Sequence, residues 1–435
     1  MLRGKKAAFY TLGCKLNFSE TSTISRQLTD LGFSKAEFNE GADVFVINTC
    51  SVTENANREC RRIIRKAKKI SPSSTVIVTG CYAQLKPEAI SCIDGVDMVV
   101  GANEKFNIPS LLKKFSSQTT EIHGCSINNL NYFSSYSLHD RTRSFLKIQD
   151  GCDYPCTYCT IPLARGKSRS DTISNIVKNA EEIAKNGIKE IVLTGVNIGD
   201  FKQEEMRFID LIKQLDQVNG IERYRISSIE PNLITDEIID FVKDSKKFMP
   251  HFHIPLQSGS DNVLKMMKRR YNTKLYFEKI KKIQKAIPNV CIGADVIVGF
   301  PGETDLEFNK TLNFIKDLKI SYLHVFSYSE RENTKAILLD NKVDKQKRAE
   351  RSKMLRILSS KLQRLFYKRF ENTQQKVLFE KDNKDGFVYG FTENYIKIKI
   401  PFDNNLVKNS TNVLLNEIDE NLIMNAQINE LCIQQ

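Results

Sequence analysis

Three of the eleven cysteines fall on one short run, Cys152-Asp-Tyr-Pro-Cys156-Thr-Tyr-Cys159. Three thiolates on a single tight loop can hold three irons of a four-iron cluster and leave the fourth iron without a protein ligand. A small molecule with an amine and a carboxylate, such as S-adenosylmethionine (SAM), can chelate that open iron, and a reduced cluster can then cleave its sulfonium bond. The competing chemistry is a zinc site, but zinc sites space their cysteines as C-x2-C pairs and close with a fourth ligand.

A second set is dispersed along the first hundred residues. Cys14, Cys50 and Cys81 each follow a short β-rich run, respectively Ala7–Tyr10, Asp43–Asn48 and Thr75–Val78. If those runs are neighbouring parallel strands, the three thiols emerge at one edge of the sheet, where open α/β folds place their ligands. The plainer alternative is three small buried hydrophobes. Cys60, Cys92, Cys125, Cys291 and Cys432 share no such relation and fit that alternative. The five histidines (His123, His139, His251, His253, His324) do not pair with cysteine or glutamate at metal-ligand spacing, so core or surface roles are expected of them.

The elements that must position these thiols are readable from periodicity. Residues 1–117 alternate β-rich runs with the helical patterns Ser19–Leu31 and Asn57–Ile70, which implies a small parallel α/β sheet domain. Residues 118–140 lose periodicity and collect Ser, Asn and Thr, as a linker does. Residues 141–370 carry six strand candidates: Phe145–Gln149, Glu190–Thr194, Tyr224–Ser228, His251–Leu256, Ala294–Phe300 and Tyr322–Tyr328. Helical segments separate them, so a partial (β/α)6 barrel is expected, with the C-x3-C-x2-C loop directly after its first strand. A basic amphipathic helix over 342–369, with Leu355, Leu358, Leu362 and Leu365 on one face, closes that unit. Residues 371–435 read as short strands (Lys376–Glu380, Gly386–Tyr389 and Tyr395–Ile400) of a small β-barrel.

At 435 residues with 41% hydrophobic content, a folded chain of several domains is expected and disorder is excluded. No run is apolar and long enough to span a membrane, so no membrane partner and a cytoplasmic location are expected; there, grouped cysteines serve metal or catalysis before disulfides. The net charge of +13 favours a polyanionic partner. The charge is clustered at Arg61, Arg62, Arg65, Lys66, Lys68 and Lys69, at Lys268, Arg269 and Arg270, and over 342–369, which holds eleven Lys/Arg against two acidic residues. Phosphate contacts are one use of such clusters, and a solvated face is the other. Residues 371–435, with six Lys/Arg and ten Asp/Glu, are not basic.

Thr11-Leu-Gly-Cys14-Lys-Leu-Asn17, Asn48-Thr-Cys50-Ser-Val-Thr53 and Thr79-Gly-Cys81-Tyr-Ala-Gln84 resemble the three N-terminal cysteine motifs of the radical SAM methylthiotransferases. Gly151 through Cys159 with Arg165-Gly166, Pro255-Leu-Gln-Ser-Gly-Ser260 and Asp295-Val-Ile-Val-Gly-Phe-Pro-Gly-Glu303 resemble further stretches of that family, and the tail resembles a TRAM domain. The wording of Thr11–Asn17, Arg225-Ile-Ser-Ser-Ile-Glu230 and His253-Ile-Pro-Leu-Gln257 is nearest the branch acting on N6-threonylcarbamoyladenosine beside the tRNA anticodon. Relatives of that branch act on isopentenyladenosine or on a ribosomal-protein aspartate, and a non-catalytic iron–sulfur RNA-binding protein is the alternative of another class.

The resemblance implies two [4Fe–4S] clusters, one on Cys152, Cys156 and Cys159 that cleaves SAM to a hydrogen-abstracting radical, and one on Cys14, Cys50 and Cys81 that holds the sulfur. A second SAM methylates that sulfur. It further implies Tyr158, Gly195, Ser227, Glu230, Gln257, Ser258 and Asp295 around SAM, a tRNA anticodon stem-loop as partner, and an electron donor such as a flavodoxin or ferredoxin. One departure stands out: the glycine-rich SAM-amine motif reads Thr194-Gly195-Val196-Asn197, without its usual acidic end.

Overall fold

The computed structural model describes residues 4–51, 53–116, 119–124, 126–127 and 130–428; Cys125 and Cys432 lie outside them. The chain opens with a six-stranded sheet in the order β2-β1-β3-β4-β5-β6: β1 (Lys6–Thr11), β2 (Ser34–Ala36), β3 (Val44–Thr49), β4 (Thr75–Gly80), β5 (Met98–Val100) and β6 (Glu121–His123). Every pairing is parallel, with Thr11 opposite Asn48 and Thr49 opposite Gly80. Because side chains alternate across a strand, β3 buries Phe45 and Ile47 on one face and Val44 and Val46 on the other. Helix α1 (Lys15–Asp30) covers the second face with Ile24 and Leu28, and α2 (Glu54–Ile70), whose first turn is capped by Thr53, covers the first with Ile63 and Ile64. Strand β6 falls inside 118–140, the stretch expected to be a linker, and pairs with β5 as the sheet's outer strand.

Six parallel strands follow in two triplets. Arg143–Lys147, Glu190–Thr194 and Arg223–Ile226 form one, and His251–His253, Cys291–Val298 and Tyr322–Ser327 the other. Parallel bridges from Tyr224 to Phe248 and from Ser228 to His253 join the triplets, giving the expected open barrel. The helices Ile173–Lys185, Phe208–Asp216, Asp236–Asp244, Thr273–Ala286 and Asp305–Leu318 wrap it, and one apolar core runs beneath them.

The basic helix spans Lys345–Lys368. Leu355 and Leu362 are buried in the barrel core, but Leu365 is 64% exposed, against expectation. Its last turn leaves the barrel wall, and Phe366, Tyr367 and Phe370 turn into the core of the tail instead. The tail is a closed barrel of five strands: Gln374–Lys384, Phe387–Thr392, Lys397–Pro401, Ser410–Ile418 and Met424–Ile428. Two buried arginines fasten it to the central unit. Arg223 donates to the carbonyls of Phe391 (3.0 Å) and Lys376 (3.1 Å), and Arg225 to those of Glu393 and Thr392 (2.8 Å each).

Candidate iron–sulfur and SAM site

Cys14 caps α1 three residues beyond β1, Cys50 directly follows β3, and Cys81 directly follows β4 and opens the short helix α3 (Cys81–Leu85). Since β1, β3 and β4 are adjacent and parallel, all three thiols sit at one sheet edge, as the dispersed spacing predicts. Gly13 makes the approach possible: at φ +98°, its added Cβ would stand 2.8 Å from Cβ and 3.0 Å from Sγ of Cys50. Asn17 Nδ2 ties the edge together by donating to the carbonyls of Leu12 (2.9 Å) and Thr49 (3.0 Å).

The loop of Cys152, Cys156 and Cys159 follows the first barrel strand and precedes the helix Ile161–Arg165. Hydrogen bonds to sulfur already shape it. The Tyr154 amide donates to Cys152 Sγ and the Ile161 amide to Cys159 Sγ, both at 3.4 Å, and Arg269 Nη1 donates to Cys156 Sγ at 3.0 Å. Burial pushes the Cys152 thiol up to about 11 and the Cys159 thiol up to about 12, with Cys156 also raised. Such thiols stay protonated at neutral pH, so a metal must displace the protons to bind.

The described cysteines form no disulfide. Among the described residues one trio of ligand-type side chains brings its donor atoms within 4.8 Å of one another, and it is His253, Asp295 and His324. Neither cysteine triad closes that far.

Arg165, at the end of the helix after Cys159, is buried and ties that helix to the sheet edge that carries Cys14, Cys50 and Cys81. It donates to Asn17 Oδ1 (2.5 Å), to Glu20 of α1 (3.0 Å) and to Asp150 (3.0 Å). Lys105 (2.6 Å) and Lys147 (3.6 Å) complete the ring around Glu20. Burial raises the Glu20 carboxyl, but Arg165, Lys105 and Lys147 outweigh it and hold the group at about 2.

A cavity of about 250 Å³ lies between Thr53, which caps α2, and the barrel mouth, lined by Thr53, Tyr158, Cys159, Gln257, Asp295 and Arg331 among others. Of the residues expected around SAM, Tyr158, Gln257 and Asp295 line it. Burial raises the Asp295 carboxyl, but hydrogen bonds from His253 (2.9 Å) and His324 (3.3 Å) hold it well below the carboxylate range. A buried polar atom of that lining fits an amino-acid ligand: Gln257 Oε1 has no hydrogen-bond partner among the described residues. Gly195 lets the chain pass close, since its Cβ would be 3.0 Å from the Gln149 carbonyl.

Ser227 is buried at the end of its strand. Glu230 pairs with Arg269, whose Nη1 also reaches Tyr158 Oη at 3.3 Å. Ser258 lies off the lining, with its Oγ 3.1 Å from Thr311 Oγ1, and holds the Gln257 loop to the neighbouring helix.

Sequence reasoning grouped Arg269 with surface charge, whereas the structure buries it against Cys156 and Glu230. The helix 342–369 likewise spends Arg348 and Arg351 on buried pairs with Glu330 and Glu303. On α2, Arg61, Arg62 and Lys68 are paired with Glu54, Glu59 and Asp97. The trio of His253, Asp295 and His324 was missed because it is spread over three strands. Its signal is strand pairing, which puts Asp295 and His324 opposite each other on adjacent strands.

Residues 146–315 match the model of the radical SAM superfamily, and residues 6–101 that of an uncharacterized protein family, UPF0004. A threonylcarbamoyladenosine tRNA methylthiotransferase MtaB of Bacillus subtilis is 40% identical over 90% of this chain and 89% of its own length. The chain belongs to the radical SAM methylthiotransferases. Within that family it falls in the MtaB branch: a second MtaB, from Aquifex aeolicus, is 36% identical over 91% of this chain and 96% of its own. A tRNA-2-methylthio-N(6)-dimethylallyladenosine synthase of Thermodesulfovibrio yellowstonii is 31% identical over 92% and 94%. Cofactors of this methylthiotransferase are SAM and [4Fe–4S] clusters. The fold is shared with the radical SAM methyltransferase TsrM of Kitasatospora setae, at a TM-score of 0.56 and 13% identity over 76% of this chain and 77% of that one.

Proposed function

We propose that this protein inserts a methylthio group at C2 of N6-threonylcarbamoyladenosine beside the tRNA anticodon. The observation that carries the proposal is the tie that Arg165 makes from the helix after Cys159 to the sheet edge of Cys14, Cys50 and Cys81, beside a cavity lined by Thr53 and Cys159, because an unactivated C–H bond calls for separate radical and sulfur centres in reach of one carbon. The MtaB relatives, identical at 40% and 36%, support the choice of nucleoside.

Loaded with clusters and SAM, such a centre supplies radical cleavage of a C–H bond and a sulfur that SAM can methylate. The chain's own share is placement. Cys152, Cys156 and Cys159 hold one cluster and Cys14, Cys50 and Cys81 the other. Tyr158, Gln257 and Asp295 bind SAM in the cavity at the barrel mouth, with Gly195, Ser227 and Glu230 at its margins and Ser258 fixing the Gln257 loop. Arg269 positions the first loop through Cys156 and Glu230. The ring around Glu20 and Arg165 seals the joint between sheet and barrel against water.

Residues 1–117 and 141–370 are the two catalytic units and 371–435 an RNA-contacting tail. The unpaired cations of α2 and of the helix 345–368 meet the phosphates of an anticodon stem-loop. On this reading the protein works in the cytoplasm with a reductant such as flavodoxin or ferredoxin; among the described residues no helix is long and apolar enough to cross a membrane. The test offers matched tRNAs bearing threonylcarbamoyladenosine, isopentenyladenosine or plain adenosine to the reconstituted, reduced enzyme and measures methylthiolation by nucleoside mass spectrometry. Product from the first alone is expected. Preference for isopentenyladenosine, or no product from any of the three, overturns the proposal.

A further inference from the structure

A second cavity, of about 300 Å³, borders Cys14 and is lined on its other side by the barrel-strand residues Phe145, Val192, Arg225 and His251. Its size is at the lower end for small-ligand pockets. Its walls are aromatic, with Phe18, Phe145 and Tyr395, and four cations line it: Lys15, Arg141, Arg143 and Arg225.

The four are not equivalent. Arg225 is committed to Glu190 (2.8 Å) and to two carbonyls of the tail, and Arg143 to Glu380 (2.9 Å). Lys15 and Arg141 have neither an ion-pair nor a hydrogen-bond partner among the described residues; Arg141 only lies over the Phe18 ring, 4.8 Å from its centroid. Two uncommitted cations beside Cys14, with no carboxylate in the lining, form a pocket for an anion.

We infer that this cavity receives the N6 substituent of the substrate nucleoside, with Lys15 and Arg141 binding its threonyl carboxylate. The inference rests on the proposed function and goes on to name the residues that select the substrate. Its chemistry follows from the purine ring. C2 and C6 both flank N1, so a substituent on N6 lies beside the same edge as C2. If C2 is turned toward sulfur held at Cys14, Cys50 and Cys81, the substituent must enter the space that borders Cys14. The aromatic walls then cover the apolar threonyl methyl, and the cations take its acid. An isopentenyl group in the same place would cover both exposed cations without answering their charge, which is a basis for rejection as well as for binding.

The experiment uses the cluster-loaded enzyme and three anticodon stem-loops, carrying threonylcarbamoyladenosine, its threonyl carboxamide, or adenosine. Dissociation constants are read by fluorescence anisotropy and kcat/KM by product analysis. A charge-assisted hydrogen bond makes the acid bind about tenfold to a hundredfold more tightly than the amide. Lys15→Met and Arg141→Met should each weaken binding of the acid by about tenfold and shrink the preference over the amide, leaving binding of the adenosine RNA unchanged. Wild-type enzyme that methylthiolates acid and amide equally well overturns the pocket and leaves the proposed function standing. Variants that weaken all three RNAs alike make the two side chains phosphate contacts and overturn it as well. Absence of product from the acid RNA removes the proposed function itself, and the inference with it.

Discussion

Replacing Glu20 by Gln tests the ion cluster that joins the sheet to the barrel. Glu20 is fully buried and is the meeting point of Lys105 at 2.6 Å, Arg165 at 3.0 Å and Lys147 at 3.6 Å. The amide keeps the shape and removes the charge, leaving three enclosed cations with Asp150 as their remaining acid. Taking one partner out of a buried ionic group costs about 3–5 kcal/mol. Proton linkage gives a figure of the same size: the carboxyl lies at about 2 in the folded protein against 4.5 ordinarily, a gap worth on the order of 3 kcal/mol. The sign follows from that gap. The stabilisation is fully present above pH 4.5 and is lost as the pH falls toward 2, where the native carboxylate takes up its proton. The chain has no tryptophan, so urea unfolding is best followed by circular dichroism. With a slope of about 3 kcal/mol per M, Glu20→Gln should lower the midpoint by about 1 M at pH 7. The difference should narrow as the pH is lowered below 4.5. Equal midpoints at pH 7, or a difference that widens in acid, would refute the reasoning.

Two further outcomes are expected of the cysteine centres. Ala at Cys152, Cys156 and Cys159 should remove about four irons and abolish 5′-deoxyadenosine formation, while Ala at Cys14, Cys50 and Cys81 should remove about four others, keep SAM cleavage and stop methylthio transfer; iron analysis and chromatography of the nucleosides decide. Gly13→Ala, whose Cβ would meet Cys50 at 2.8 Å, should lower iron at the second centre alone, and full iron with full transfer would contradict the geometry.

The arrangement of the thiols was legible because it depends on one repeating rule. Parallel strands joined by helices return their C-terminal ends to one edge, so cysteines just after Thr11, Thr49 and Gly80 had to converge. The ring around Glu20 was not legible. Its members come from α1, from the sheet domain at Lys105 and from the barrel at Lys147, Asp150 and Arg165, and no spacing in the sequence marks them as neighbours. Charge counting also misplaced Arg269, Arg348 and Arg351, since a run of basic residues does not say which members turn inward. The last two strands of the tail escaped notice because Ser410–Ile418 and Met424–Ile428 mix Asn, Gln and Glu among their apolar residues.

Arg223 and Arg225 reach from one barrel strand to four carbonyls of the tail, and both are almost wholly buried. Such bonds hold two bodies at a constant separation, unlike a flexible tether that samples a range of distances. An RNA gripped by the tail is therefore presented to the cysteine centres at a set offset along its length. If the tail grips the RNA as proposed, distance from the point of grip would help to select the nucleoside, and the chemistry of the base would be a second and separate check. Lengthening the arm of the RNA between grip and target by a base pair would move the right nucleoside out of register while leaving its identity untouched.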